Sequence, residues 1–321
     1  MAIHPDLMAL RSDPAPQQLA QNALAEAIAQ WRESALMQQI ESEFHDFRQG
    51  TDLAAQNGLK ALFDPADPMA DALIARLIDP LVAVLDQHPL GSVPLRHYAD
   101  DQSATLILCT GGGAALSVQV LDPLGLARQR PAHSVTFAPG ELHERILAGS
   151  GAAKLVTLRA ERPGGAGLEI EELRLEAGQC LHRNSGEQCR MITALDAPLV
   201  LLRLQRRATG GALTREYSLA DGSFIAQAAA SPRETRLELA AALLGRMGRS
   251  DAAPLLAAMA EEEAGQSLRW QSLKECLGLD TATGFGALCR IAAHADDPLA
   301  APAGALRAQL IETYPQLEGI A

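Results

Sequence analysis

Two short stretches hold the side chains best suited to chemistry: Phe137-Ala138-Pro139-Gly140-Glu141-Leu142-His143, and Gly178-Gln179-Cys180-Leu181-His182 followed by Glu187. Imidazole, thiolate and carboxylate all bind a divalent metal of borderline softness. On a strand, positions two apart such as Cys180 and His182 point the same way. Two histidines and a carboxylate brought together in a cavity either hold a metal or hydrogen-bond one another; spread over separate loops they do neither. The local sequence favours the spread arrangement, with His182 beside Arg183 and Asn184 in a polar turn and His143 between Glu141 and Glu144 on a surface strand. The two imidazoles are then expected more than about 10 Å apart or facing solvent, too far to share an ion whose ligand bonds are roughly 2 Å long.

These residues sit in the middle of a run, Ala104 to Gln227, where short apolar segments alternate with Gly-rich and Asp/Asn-rich turns. Thr105–Cys109 and Ala115–Leu121 read as strands joined by Thr110-Gly111-Gly112-Gly113. A phosphate-binding loop needs a Lys-Ser/Thr pair opening a helix, and here Ala114-Ala115 lead into a strand instead. Asp221-Gly222 reads as a two-residue hairpin turn. Before this run the apolar period is helical: Leu24, Ile28 and Trp31, then Leu36, Ile40, Phe44 and Phe47, with Thr51 and Asp52 as caps. Met69–Ile78 reads as a separate helix, and Asp79-Pro80 as the start of another turn. The first sixteen residues, with three prolines, read as an arm.

After Ser231 the helical period returns with a 33-residue shift that lays Arg236 on Arg269, Leu244 on Leu277, Gly245 on Gly278 and Leu255 on Leu288, with Asp251 and Asp280 as caps. Helix pairs of this kind bury their faces only by stacking on neighbours. The segment resembles a short HEAT-like array, which implies a packing or interaction module. The expected fold is therefore α+β and multidomain: N-terminal helices over residues 1–90, an antiparallel β-barrel or sandwich over 91–229, and a C-terminal α-array over 230–321.

The Pro139-Gly140-Glu141-Leu142-His143 stretch resembles the second cupin motif, in which a Pro-Gly turn precedes a histidine that points into the barrel. Cys180-Leu181-His182 followed by Glu187 resembles the first, His-x-His then Glu, with Cys180 where the first histidine would stand. The resemblance implies a cupin-like barrel with a divalent metal held by Cys180, His182, Glu187 and His143. These side chains would line the barrel mouth, with Arg190 as an anion partner. The motifs come in reverse order and no later stretch supplies a missing partner, so the barrel is expected to be degenerate.

Acidic residues number 39 against 27 basic ones, a formal charge of −12. That balance opposes binding to a phosphate backbone. No apolar run reaches the roughly 20 residues a bilayer span requires, and the five scattered cysteines suit a reducing compartment. A cytoplasmic protein is expected, with neither nucleic acid nor membrane as partner. No Ser-His-Asp elbow, dinucleotide fingerprint or kinase set is present. The favoured function is a non-enzymatic binding, regulatory or scaffold protein, engaging another protein or a second copy of itself and accommodating a small molecule in the barrel. The alternative is a metal-dependent cupin-type oxygenase or isomerase acting on a small molecule.

Overall fold

The computed structural model describes residues 13–208, 212–229 and 232–320. Most of the expected N-terminal arm, and residues 230–231 at the expected β-to-α boundary, lie outside them. Helix α1 (Ala15–Glu33) and helix α2 (Ala35–Arg48) divide the first apolar stripe at Ser34, whose extended backbone ends one helix and whose side chain accepts from Met37 N to cap the next. Asp52 caps a short 3₁₀ turn over Leu53–Ala55 by accepting from Ala54 N, and α3 (Asn57–Ala61) follows. Helix α4 runs unbroken from Met69 to Gln87 with Pro80 inside it, not as the two elements expected. An interior proline costs on the order of 3 kcal/mol, but Leu73, Leu77 and Leu81 form one buried stripe across it, and burying such side chains offsets that cost at about 1.5–3 kcal/mol each.

The strands are β1 (His97–Ala99), β2 (Ser103–Gly111) and β3 (Ala114–Leu121), then a short helix α5 (Pro123–Ala127), β4 (Ser134–Phe137), β5 (Gly140–Ala148), β6 (Ser150–Arg162) and β7 (Gly165–Glu176). They continue with β8 (Cys180–Asn184), β9 (Gln188–Leu195), β10 (Leu199–Arg207), β11 (Leu213–Ser218) and β12 (Phe224–Ala229). The β2–β3 hairpin turns on Gly112 and Gly113, both with positive φ, as the glycine run implies. The β11–β12 connection is longer than the two residues expected, since Ser218 N donates to Ser223 O across it. Gly222 is required there because a Cβ would lie 2.1 Å from Ala166 O.

Among the described residues the strands form three open sheets, β1-β2-β3-β10-β5-β8, β12-β11-β4 and β7-β6-β9, and no closed barrel. The layout of N-terminal helices, central antiparallel sheets and C-terminal helices is the one expected. Chain contacts define two compact units, one of residues 1–132, 140–159 and 167–206, the other of 133–139, 160–166 and 207–321. In the first unit no division falls at residue 90, because Leu24, Ile40, Phe47, Leu73 and Leu77 of the helices share one core with Leu108, Leu116, Leu202 and Leu204 of the large sheet. The other face of that sheet packs Ile146, Leu199 and Leu201 against Ala153 of β6 and Leu175 of β7. Strand β10 thus feeds both cores by simple alternation.

In the second unit, α6 (Pro232–Arg246), α7 (Ala253–Glu261), α8 (Gln266–Leu279), α9 (Thr281–Ala293) and α10 (Ala300–Thr313) enclose a core of Leu256, Leu273, Cys276, Phe285 and Leu288. Asp280 caps α9 by accepting from Ala282 N and Thr283 N, whereas Asp251 pairs with Arg249 and caps nothing. Burial matches at some pairs of the 33-residue register, Leu244 and Leu277 both being half-buried, and differs at others. Leu255 is 60% exposed and its counterpart Leu288 fully buried, and Arg236 is exposed where Arg269 is buried. Leu273→Ala is expected to cost about 2–4 kcal/mol in a denaturant titration through the cavity it leaves. The loss for half-buried Leu277 should be visibly smaller, and an equal loss at both would contradict this packing. No described helix is long and apolar enough to cross a membrane.

Candidate functional site

Antiparallel pairing of β5 with β8 sets the site, with Glu141 opposite Asn184, His143 opposite His182, and Arg145 opposite Cys180. Because side chains alternate across a sheet, Glu141, His143, Arg145, Cys180 and His182 share one face, and Leu142, Glu144, Leu181 and Arg183 the other. The first face is turned toward the N-terminal helices. Arg145, 4% exposed, donates to Asp64 O at 2.7 Å and Asp67 O at 2.8 Å and pairs with Asp71 at 3.0 Å.

On that face the two imidazoles are stacked, ring centroids 4.3 Å apart and planes 14° from parallel. The expectation that they lie far apart is overturned, because a cross-strand register places directly opposite two residues that are 39 positions apart in the chain. His143 is walled by Phe63 (centroids 5.9 Å) and by the edge of Phe47 (6.5 Å). Its Nε2 lies 3.4 Å from Glu141 Oε2, and its side chain is 12% exposed. Burial, reinforced by His182, pushes the His143 pKa down against the opposing pull of Glu141. The imidazole is therefore neutral at neutral pH, the form that ligates metals. Arg206 pairs with the other oxygen of Glu141, donates to Phe47 O and to Thr51 O, and lays its guanidinium 4.3 Å from the centre of the Phe47 ring. His182 is exposed.

Of the residues expected to act together, the fold assembles His143 and His182 and separates the rest. Glu141, His143 and His182 form the one group of three metal-ligating side chains among the described residues, their ligand atoms all within 4.8 Å of one another. Cys180 is on the same face but outside the group. Burial raises its thiol pKa, and its Sγ is 3.9 Å from Gly178 O. Glu187 is exposed in the β8–β9 turn. The metal set implied by the cupin motifs therefore does not converge. The carboxylate beside the two imidazoles is Glu141, a residue whose signal was its position two before His143 on one strand.

Arg190 lies on the opposite side of the sheet. There Glu144, 1% exposed, receives Arg183 Nη2 on one oxygen, and on the other Arg190 Nη2 at 3.0 Å, with Arg203 Nε at 3.1 Å but not aimed at it. Arg203 also donates to Gln119 Oε1 at 2.9 Å. Burial lowers the pKa of Arg183, and that of Arg190 to about 10, although Glu144 pulls both the other way. The sequence signal missed was a charge inside an apolar run, Arg203 after Leu199-Val200-Leu201-Leu202. A cavity of about 370 Å³ lies elsewhere, lined by Arg32, Glu41, His45, Arg48 and Thr110 among others, and touches neither cluster.

Comparison of the sequence finds no matching protein family and no matching curated protein. Solved structures resemble parts of the chain. A 7S globulin from Momordica charantia matches at 12% identity over 40% of this chain and 36% of its own, with a TM-score of 0.25. A cupin superfamily protein from Desulfitobacterium hafniense matches at 13% identity over 35% of this chain and 83% of its own, TM-score 0.23. A DMSP lyase matches at 17% identity over 62% of this chain and 98% of its own, TM-score 0.27. The chain thus spans about a third of the globulin's length. At these TM-scores the likenesses carry no argument about function.

Proposed function

We propose that the chain is a binding protein of regulatory or scaffolding type whose central sheet takes a divalent metal ion at Glu141, His143 and His182. The observation that carries this is the convergence of the three ligand atoms within 4.8 Å. A carboxylate and two imidazoles suit zinc, nickel or iron(II). Imidazole lone pairs lie in the ring plane, so two stacked rings do not aim at one point. Coordination requires the exposed His182 ring to rotate while the walled His143 stays fixed, and Glu141 offers the oxygen that Arg206 leaves free. For the partner, exposed Leu239 and Leu243 lie four residues apart on α6, with exposed Met247 in the turn just after it, a stripe suited to contact with protein.

In a zinc titration of chelator-treated protein, one equivalent is expected to bind. His143→Ala or His182→Ala should each weaken binding at least about tenfold, and Cys180→Ala and Glu187→Ala should leave it unchanged. Undiminished one-to-one binding in the two histidine variants would sink the proposal. A metal-dependent enzyme of oxygenase or isomerase type is the second reading. It is favoured by the count of ligands, since three protein ligands leave coordination positions where a small molecule can bind.

A further inference from the structure

We propose that the chain binds a small dianionic oxyanion, a phosphate group or a dicarboxylate, at the cluster of Arg183, Arg190 and Arg203. Three guanidinium groups here face a single carboxylate, that of Glu144. Two positive charges are left over in a place where the Arg183 and Arg190 side chains are 8% and 5% exposed. Taking a charge out of water costs several kcal/mol unless it is paired.

Lysines in such a position could shed their protons, but arginine stays charged at neutral pH; even Arg190, lowered to about 10, remains cationic. The hydrogen-bond count gives the same answer independently. Arg183 Nη1 and Arg190 Nε and Nη1 are buried with no partner. Water could accept those bonds, but it would leave the excess charge unbalanced. A dianion does both, and the guanidinium fork matches phosphate or carboxylate oxygens. Glu144 then acts as the fixed counter-ion that holds the three arginines in place, and the apolar Ile146, Leu199 and Leu201 on the same side of the sheet keep bulk water from screening them. This site is independent of the metal group, which lies on the opposite face of β5.

The test titrates the whole chain with inorganic phosphate and, separately, with malonate, at ionic strength held constant with sodium chloride to remove general salt effects. Calorimetry and thermal melting are the readouts. One of the two anions is expected to saturate at one per chain and to raise the melting midpoint by roughly 5 °C; which of them does so separates a phosphate from a dicarboxylate ligand. Arg203→Met should weaken binding at least about tenfold, the loss of one charge-assisted hydrogen-bonded contact. Arg203→Lys keeps the charge but not the fork, is the variant more certain to fold, and is expected to weaken binding at least about threefold. Arg174→Met, which alters an exposed arginine paired with Asp196, should change nothing. Saturation by neither anion, wild-type affinity in Arg203→Lys, or an equal loss in Arg174→Met would overturn the proposal.

Discussion

Glutamine in place of Glu144 is expected to destabilise the sheet core by about 3–5 kcal/mol, the penalty for removing one partner from a buried ionic cluster. The side chain is isosteric, so no cavity contributes. What changes is that three guanidinium groups lose their common anion while Arg183 and Arg190 stay buried. One carboxylate oxygen also becomes an amide nitrogen that donates toward a donor. Urea unfolding followed by circular dichroism measures the loss. A decrease below about 1 kcal/mol, within the range of exposed ion pairs, would show that Glu144 is not what holds the arginines. If the sheet interior takes a dianion, the variant should also be rescued by that anion more strongly than the wild type, because its uncompensated charge is larger.

Phe47→Ala is expected to cost about 3–5 kcal/mol, the range for removing a buried aromatic ring from a packed core. Phe47 is fully buried, and its ring serves three neighbours. It packs into the core shared by helices and sheet, presents its edge to His143, and lies under the guanidinium of Arg206. Alanine would leave His143 with Phe63 as its one aromatic wall, so metal affinity should fall along with stability. Phe47→Leu keeps most of the volume and should lose under about 1.5 kcal/mol. Loss of stability without loss of metal affinity would mean that the ring supports the fold and not the geometry of the imidazoles.

The helical stripes were legible because burial follows a short period: Leu24, Ile28 and Trp31 are buried as their spacing implies, and Asp52 caps as its chemistry allows. The β2–β3 turn was legible because only glycine accepts its φ values freely. What local sequence could not show is how distant segments align. His143 and His182 meet because of the β5–β8 register, and nothing in either stretch specifies that register. The same register puts Glu144 on the face opposite Cys180, and Arg190, ten residues after Cys180, reaches Glu144 from β9 of a different sheet. Pro80 was misread for a related reason: its local preference for breaking a helix gives way to the buried stripe of Leu73, Leu77 and Leu81. The shared core of the helices before residue 90 and the strands after it is likewise a contact between distant segments that local sequence does not show.

The place of β10 in the large sheet bears on how the chain is made. It lies between β3 and β5, yet it emerges from the ribosome after both. Between the end of β3 at Leu121 and the start of β10 at Leu199, translation at ordinary speed takes roughly 4–16 s. Throughout that interval β3 has a bare hydrogen-bonding edge, and Leu108 and Leu116 lack the cover that Leu202 and Leu204 later supply. The nascent chain is thus a substrate for chaperones and for edge-to-edge aggregation until β10 inserts. Synonymous codons that slow synthesis between β3 and β10 should lower the soluble yield without changing a single residue of the finished protein.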